Sequence, residues 1–258
     1  MSFDAAKAAA FIADAHRTRA SYQNLPDAVA PKSIADAYAA QEALRALWEP
    51  QLGPVAGLKI ATTTKIMQQL MGIDHPCGGM IYAKRVHVSP ARISKPAFVN
   101  LAVECELAVR LAKDLPKSEM PYTRDMVRAA IGAVMPAFEL IEDRNAVYKE
   151  CRATSLIADN AWNGGIVLGA EHALPPAMEL DGLGGVLEID GDAQKKGKTD
   201  DPLGALAWVA NLAVERGRPM MAGMVVITGS VIATLPIEEG QTFSFSLDGL
   251  GTTKMTAV

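Results

Sequence analysis

Two glutamates one residue apart, Glu104 and Glu106, stand in the run Val103-Glu104-Cys105-Glu106-Leu107. On a β-strand, positions i and i+2 share a face, so the two carboxylates lie about 7 Å apart on one side. Such a pair can hold a hard cation from two directions. The same alternation also describes a half-buried antiparallel strand with a solvated acidic face. Glu139 is the third candidate. It sits in Pro136-Ala137-Phe138-Glu139-Leu140-Ile141, with no basic residue before Arg144. Buried there, it needs a partner or a metal; at a sheet edge it would face solvent and pair with Arg144. Three converging carboxylates raise one another's pKa unless a divalent ion neutralises them. An all-oxygen donor set suits Mg²⁺ or Mn²⁺ better than Zn²⁺.

Lys59 lies in Val55-Ala56-Gly57-Leu58-Lys59-Ile60-Ala61, among residues that would not solvate it. It is either an exposed lysine on a short strand or a buried cation for an acid or an anionic substrate. Met224-Val225-Val226-Ile227 reads as a buried strand ending in Thr228-Gly229-Ser230. A turn there would expose backbone N–H groups and two hydroxyls, donors for a carboxylate or enolate oxygen; an ordinary strand-ending turn is the plainer reading. Asp74 next to His75 could form an acid/base pair, although a histidine near a helix end is more often structural. The run Asp190-Gly191-Asp192 to Lys198 reads as a solvated hairpin tip. No GxSxG, HExxH or phosphate-loop pattern occurs, and Gly182–Gly185 lacks a dinucleotide-site context.

These residues must be held by elements. Phe3, Ala6, Ala10 and Ala13 recur at helical spacing. Ser33 predicts an N-cap for a helix over Ile34–Trp48, with Glu49-Pro50 as its stop. Gly57–Ile60 reads as a strand leading into a helix over Lys65–Met71, capped by the Thr62-Thr63-Thr64 run. Segments 97–111, 135–142, 165–169, 185–190, 224–229, 242–247 and 252–258 read as strands. Helices are predicted over Arg124–Val134 and Leu203–Arg216, the second after Asp201-Pro202. The division expected is a small helical portion over 1–75 and a β-rich catalytic domain over 76–258, an α+β chain.

Composition narrows the classes. The 258 residues carry 25 Lys+Arg against 29 Asp+Glu, a net charge of −4, with 50% hydrophobic and 5% aromatic residues. Disorder is excluded, and no basic stripe or stacking aromatics point to nucleic acid. The amphipathic N-terminus lacks the apolar core of a signal peptide, and no run of about 18 apolar residues points to a membrane span. Three scattered cysteines, Cys77, Cys105 and Cys151, fit a reducing cytoplasm rather than a disulfide framework.

In order along the chain, these pieces resemble the fumarylacetoacetate hydrolase superfamily, within it the branch of 2-keto-4-pentenoate hydratases and 4-oxalocrotonate decarboxylases. Gly57-Leu58-Lys59-Ile60 with Thr63 is similar to the family's G-x-K-[IVM]-G-L-T segment. Glu104, Glu106 and Glu139 are similar to its metal-binding glutamates, and Ala158-Asp159-Asn160-Ala161 to its A-D-N-A signature. Pro202-Leu203 through Trp208-Val209-Ala210, Thr228-Gly229-Ser230 and Gly249-Leu250-Gly251 complete the resemblance. It implies a mixed β-roll or barrel catalytic domain with a helical N-terminal portion. It also implies Mg²⁺ or Mn²⁺ on the three glutamates, and a small 2-oxo acid or dienoate substrate. Lys59 and Asp74 would be catalytic, Asp74 by its match to a G-[VI]-[DE] segment. Thr228, Gly229 and Ser230 would bind substrate. A homo-oligomer is implied, with a related pathway enzyme as a further partner. The activity implied is hydration of a 2-hydroxy-2,4-dienoate from aromatic-compound breakdown. Decarboxylation of a 2-oxohexenedioate, acylpyruvate-type hydrolysis and a catalytically silent partner subunit are the alternatives. The chain departs from the family at Ala61-Thr62, Ser155, Asp201, Trp162 and Gly164-Gly165, around the expected pocket.

Overall fold

The structure, a computed structural model, describes residues 3–258. Two helices open the chain, α1 (Ala5–Arg17) and α2 (Ile34–Leu52), each capped by a side chain that accepts from the first turn, Asp4 and Ser33. The helix predicted to stop at Glu49-Pro50 runs on to Leu52. Pro50 in the last turn forfeits one backbone bond without ending the helix, and Gly53 closes it, its N–H reaching the Glu49 carbonyl at 2.9 Å.

Strand β1 (Val55–Ala61) leads to α3 (Lys65–Met71), capped by Thr64, and then to β2 (Cys77–Tyr82), β3 (Val86–Val88) and β4 (Ala91–Ile93). Next come β5 (Leu101–Leu111), α4 (Arg124–Arg128), β6 (Ile131–Glu142) and α5 (Ala153–Ala158). Strands β7 (Asn163–Leu168), β8 (His172–Ala173), β9 (Gly184–Ile189) and β10 (Asp192–Lys198) precede α6 (Pro202–Glu215). The chain closes with β11 (Val225–Pro236), β12 (Thr242–Leu247) and β13 (Gly251–Ala257).

The helix predicted over Arg124–Val134 is short, because β-branched Ile131 and Val134 pair with Leu111 and Val109 of β5. The charged run after Asp190 is strand β10, exposed along most of its length, and only Asp190-Gly191 forms the hairpin tip.

A large sheet runs β2-β1-β11-β5-β6-β7-β3, with β8 on β6; a second runs β10-β9-β12-β13-β4. Strand β1 lies parallel to β11 inside the large sheet, so the division expected at residue 75 falls within it. One face of the large sheet, with Val103, Leu107, Phe138 and Val226, packs on Phe243, Phe245 and Leu187 of the second sheet. The other face curls inward around Ala108, Met135, Ala137, Ile166 and Ile227.

Edge strand β2 is not open to solvent. Its Gly78 donates to the Tyr38 hydroxyl at 2.9 Å and accepts from Gln41 at 2.9 Å, so α2 covers the edge with side chains. Gln41 also reaches the Ile157 carbonyl at 2.7 Å, joining α2 to α5.

Candidate metal and substrate site

Strand register assembles the carboxylates. Glu104 stands directly opposite Glu139 across β5 and β6, and Glu106 is two positions on along the same face. Like charges in register destabilise a sheet unless something compensates them. Carboxylate oxygens from all three lie within 4.8 Å of one another. Glu106 and Glu139 are fully buried, and the solvated and edge-strand alternatives for them do not hold.

Lys59 joins from β1. It is 3% exposed, and its Nζ lies 2.7 Å from Glu139 Oε1 and 3.0 Å from the Ala161 carbonyl. Glu139 therefore pairs with Lys59 rather than Arg144. Burial alone would lower the Lys59 ammonium; Glu139, Glu104 and Glu106 together outweigh it and hold the pKa above the ordinary lysine value. Burial, then Glu139 and Glu104, push the Glu106 carboxyl well above its ordinary range. Glu139 is pushed up to about 7, chiefly by burial and against the pull of Lys59.

Three carboxylates and one ammonium leave an excess of negative charge in an enclosed place. Glu106 Oε1 and Glu139 Oε2 are buried without a hydrogen-bond partner among the described residues. Enclosed oxygens lacking donors, beside others within 4.8 Å, fit a hard divalent cation.

The remaining oxygens are oriented by neighbours. Asn163 Nδ2 donates to Glu139 Oε1 at 2.8 Å, the Gly229 N–H donates to Glu106 Oε2 at 2.6 Å, and the Thr234 hydroxyl donates to Glu104 Oε1. The expected strand end at Thr228-Gly229-Ser230 is instead a bulge in a continuous β11. Between the pairs Ile227–Ala108 and Ser230–Glu106, β11 uses one residue more than β5. Gly229 has φ +119, a conformation that favours glycine. Thr228 is buried with its hydroxyl on the Leu107 carbonyl at 2.9 Å, and the exposed Ser230 donates to the Ile232 carbonyl at 2.5 Å. The segment aims its donors at the protein, one of them at Glu106.

The A-D-N-A segment is a left-handed turn. Asn160, Ala161 and Trp162 have φ of 53, 46 and 56. Each costs about 1–2 kcal/mol outside glycine. Asn160 offsets this by bonding both backbone groups of Met80, at 2.7 and 2.8 Å. The turn delivers the Ala161 carbonyl to Lys59. Gly79 leaves it room, since a Cβ there would meet Asn160 O at 2.8 Å and Lys59 Cγ at 2.9 Å. Asp159 accepts from His16 at 2.7 Å and from Arg144, tying α1 to the turn. Ser155 accepts the Leu25 N–H at 3.1 Å, and Asp201 caps α6 while paired with Arg124.

Beyond the Glu104–Glu139 pair, the next same-face pair is Ala102–Ile141. It belongs to an apolar cluster with Met71, Cys151, Leu156 and Trp162, flanked by Tyr22, Met67, Ile73 and Tyr148. Asp74 is not brought to the carboxylates. It is exposed on the loop between α3 and β2, next to Ile73, and makes no ion pair among the described residues. His75 stacks on Trp208 instead.

Sequence reasoning missed Asn163, Thr234 and the role of Asn160. Asn163 follows the A-D-N-A signature within three residues, a usable signal. Thr234 carries none, because only the bulged register brings it to Glu104.

A buried carboxylate trio and a lysine on the inner face of a curled mixed sheet define a class of metal-dependent enzyme. Residues 61–258 match the family described as fumarylacetoacetate (FAA) hydrolase C-terminal, and the chain belongs to it. The chain is similar to 2-keto-4-pentenoate hydratase 1 of Dechloromonas aromatica, 29% identical over 95% of this chain and 93% of that one. It is also 29% identical to the 2-hydroxyhexa-2,4-dienoate hydratase of Comamonas testosteroni, over 93% of this chain and 92% of that one. Its fold is similar to the 4-oxalocrotonate decarboxylase of Pseudomonas putida G7 complexed with magnesium and adipate. There the TM-score is 0.89 and the identity 25%, over 98% of this chain and 97% of that one.

Proposed function

We propose that this chain is a hydro-lyase that adds water to a 2-hydroxy-2,4-dienoate, giving a 4-hydroxy-2-oxo acid, with Mg²⁺ or Mn²⁺ on Glu104, Glu106 and Glu139. The observation that carries the reading is the convergence of the three glutamates on Lys59 in a chain similar to hydratases over nearly all its length. A divalent cation there supplies Lewis acidity toward a 2-oxo carboxylate. Lys59 places a fixed positive charge where the 2-oxygen becomes negative. The dienol gives up its hydroxyl proton and gains one at its far carbon, forming an α,β-unsaturated ketone. Water then adds to the alkene carbon beyond C3, and C3 takes a proton. Asp74, exposed beside the apolar cluster, is assigned to proton exchange with solvent. The Thr228-Gly229-Ser230 segment orients Glu106 through the Gly229 N–H, and it is assigned to the carboxylate side of the substrate.

Decarboxylation of a 2-oxohexenedioate is the second reading, favoured by the likeness to the decarboxylase. That substrate carries a second carboxylate. The cluster beside Glu104 is apolar, and Arg144, whose guanidinium lies 5.7 Å from the Tyr22 ring centre, is committed to Asp159. This observation favours a monocarboxylate with a short apolar tail.

The test supplies 2-hydroxypenta-2,4-dienoate and 2-oxohex-3-enedioate separately, with Mg²⁺ or Mn²⁺. Loss of dienoate absorbance without CO₂ is expected from the first. CO₂ release from the second, with the first untouched, overturns the hydratase reading. Self-association is part of the proposal, with Leu47, Ile66, Leu70 and Met126 exposed on helices; a monomer by light scattering removes it.

A further inference from the structure

A cavity of about 660 Å³ lies between the α1–α2 pair and the start of β7. Lys59 and the three glutamates do not line it; it meets their site through Asn163, which bonds Glu139, and through His16 and Arg144, which hold Asp159 beside the turn. Its size is that of a small-molecule site. Trp48, Tyr82 and Phe98 supply aromatic walls, and four arginines face it against two carboxylates, an excess of cations in a chain of net charge −4.

The charges are not all matched. Glu142 is held by the backbone N–H groups of Val99 and Asn100 at 2.9 and 3.0 Å. Arg17 pairs with Asp14, and Arg19 donates to the Phe98 carbonyl. Arg85 lies 5.9 Å from the centre of the Phe98 ring, with Glu142 nearby but beyond ion-pair distance, and among the described residues it donates no hydrogen bond. Arg144, 3% exposed, is paired with Asp159. A guanidinium that donates to no acceptor keeps its fork available, and that fork is shaped for a carboxylate.

We propose that this cavity is a second ligand site, for an aromatic monocarboxylate of one ring: the carboxylate on Arg85, the ring against Phe98 and Trp48. The site is independent of the hydratase reading, and its test reads binding rather than turnover.

Benzoate is titrated into the full chain with EDTA present, so that chelation at the glutamates cannot contribute, and followed by calorimetry and tryptophan fluorescence. Saturable binding with a Kd below about 1 mM is expected, with neutral benzamide at least roughly tenfold weaker. Arg85→Met should weaken benzoate about tenfold or more, with an unchanged circular dichroism spectrum. Arg85→Lys, which keeps the charge and loses the fork, should fall between. Glu106→Gln should leave benzoate binding as it is. The proposal is overturned by no saturation up to roughly 10 mM, by benzamide binding as tightly, by an unaffected Arg85→Met protein, or by loss of binding in Glu106→Gln.

Discussion

An enclosed carboxylate oxygen with no donor is destabilising unless a cation meets it, and two such oxygens, on Glu106 and Glu139, share one site. Glu106→Gln keeps the shape and removes the charge. Its Mg²⁺ affinity, read by calorimetry, should fall about a hundredfold or more, roughly 2.7 kcal/mol; an unchanged affinity would sink the assignment. Protons compete for the same oxygens. Native Glu106 and Glu139 hold their protons more tightly than the unfolded chain does. In the cation-free protein these two groups should therefore contribute stability that is fully present at acid pH and is lost as pH rises from the ordinary carboxylate range through about 7. Cation affinity should grow over that window, with proton release measurable in buffers of different ionisation enthalpy. The three glutamates and Lys59 were legible in the sequence because each is a charge among apolar neighbours. Asn163 and Thr234 were not, since a neutral polar residue in a strand is no anomaly and its partner is set by register.

At the level of elements, the left-handed turn after α5 carries the most strain near the site, and its anchors are local. Ala161→Gly should relieve a positive φ and raise stability by about 1 kcal/mol in urea unfolding. A decrease would show that the Ala161 methyl contributes more by packing than the backbone loses. Gly79→Ala should act oppositely. Its methyl would press on the Asn160 carbonyl and on Lys59, so turnover should drop along with stability. Helix caps and turn residues were readable: Ser33, Thr64 and Asp201 all cap where expected. Strand β2 escaped notice because Gly78 and Gly79 leave it without the side-chain alternation of a strand, and α4 was overextended because Ile131 and Val134 fit either period.

For the whole molecule, the cation site ties distant chain segments together: β1, β5 and β6 supply its charges, β7 and β11 supply its donors, and the turn after α5 supplies the carbonyl that accepts from Lys59. Cation binding to the native state alone should stabilise it by about 2.7 kcal/mol at a hundred times Kd. For a chain of this size that is roughly 5–10 °C in melting temperature. Scanning with Mg²⁺ against EDTA checks it, and identical melting curves would mean that no cation binds the folded state. The N-terminal helices, read from the sequence as a separate portion, close the β2 edge and reach the turn through His16, contacts that only the folded chain reveals. One strand also sets what the molecule can tolerate. From Ile227 to Pro236, β11 spends nine steps where β5 spends six, from Ala108 to Ala102. Deleting Gly229 would move every later residue of β11 by one position and turn Thr234 from Glu104 to the opposite face. Changes of length, more than changes of side chain, are what this strand cannot absorb.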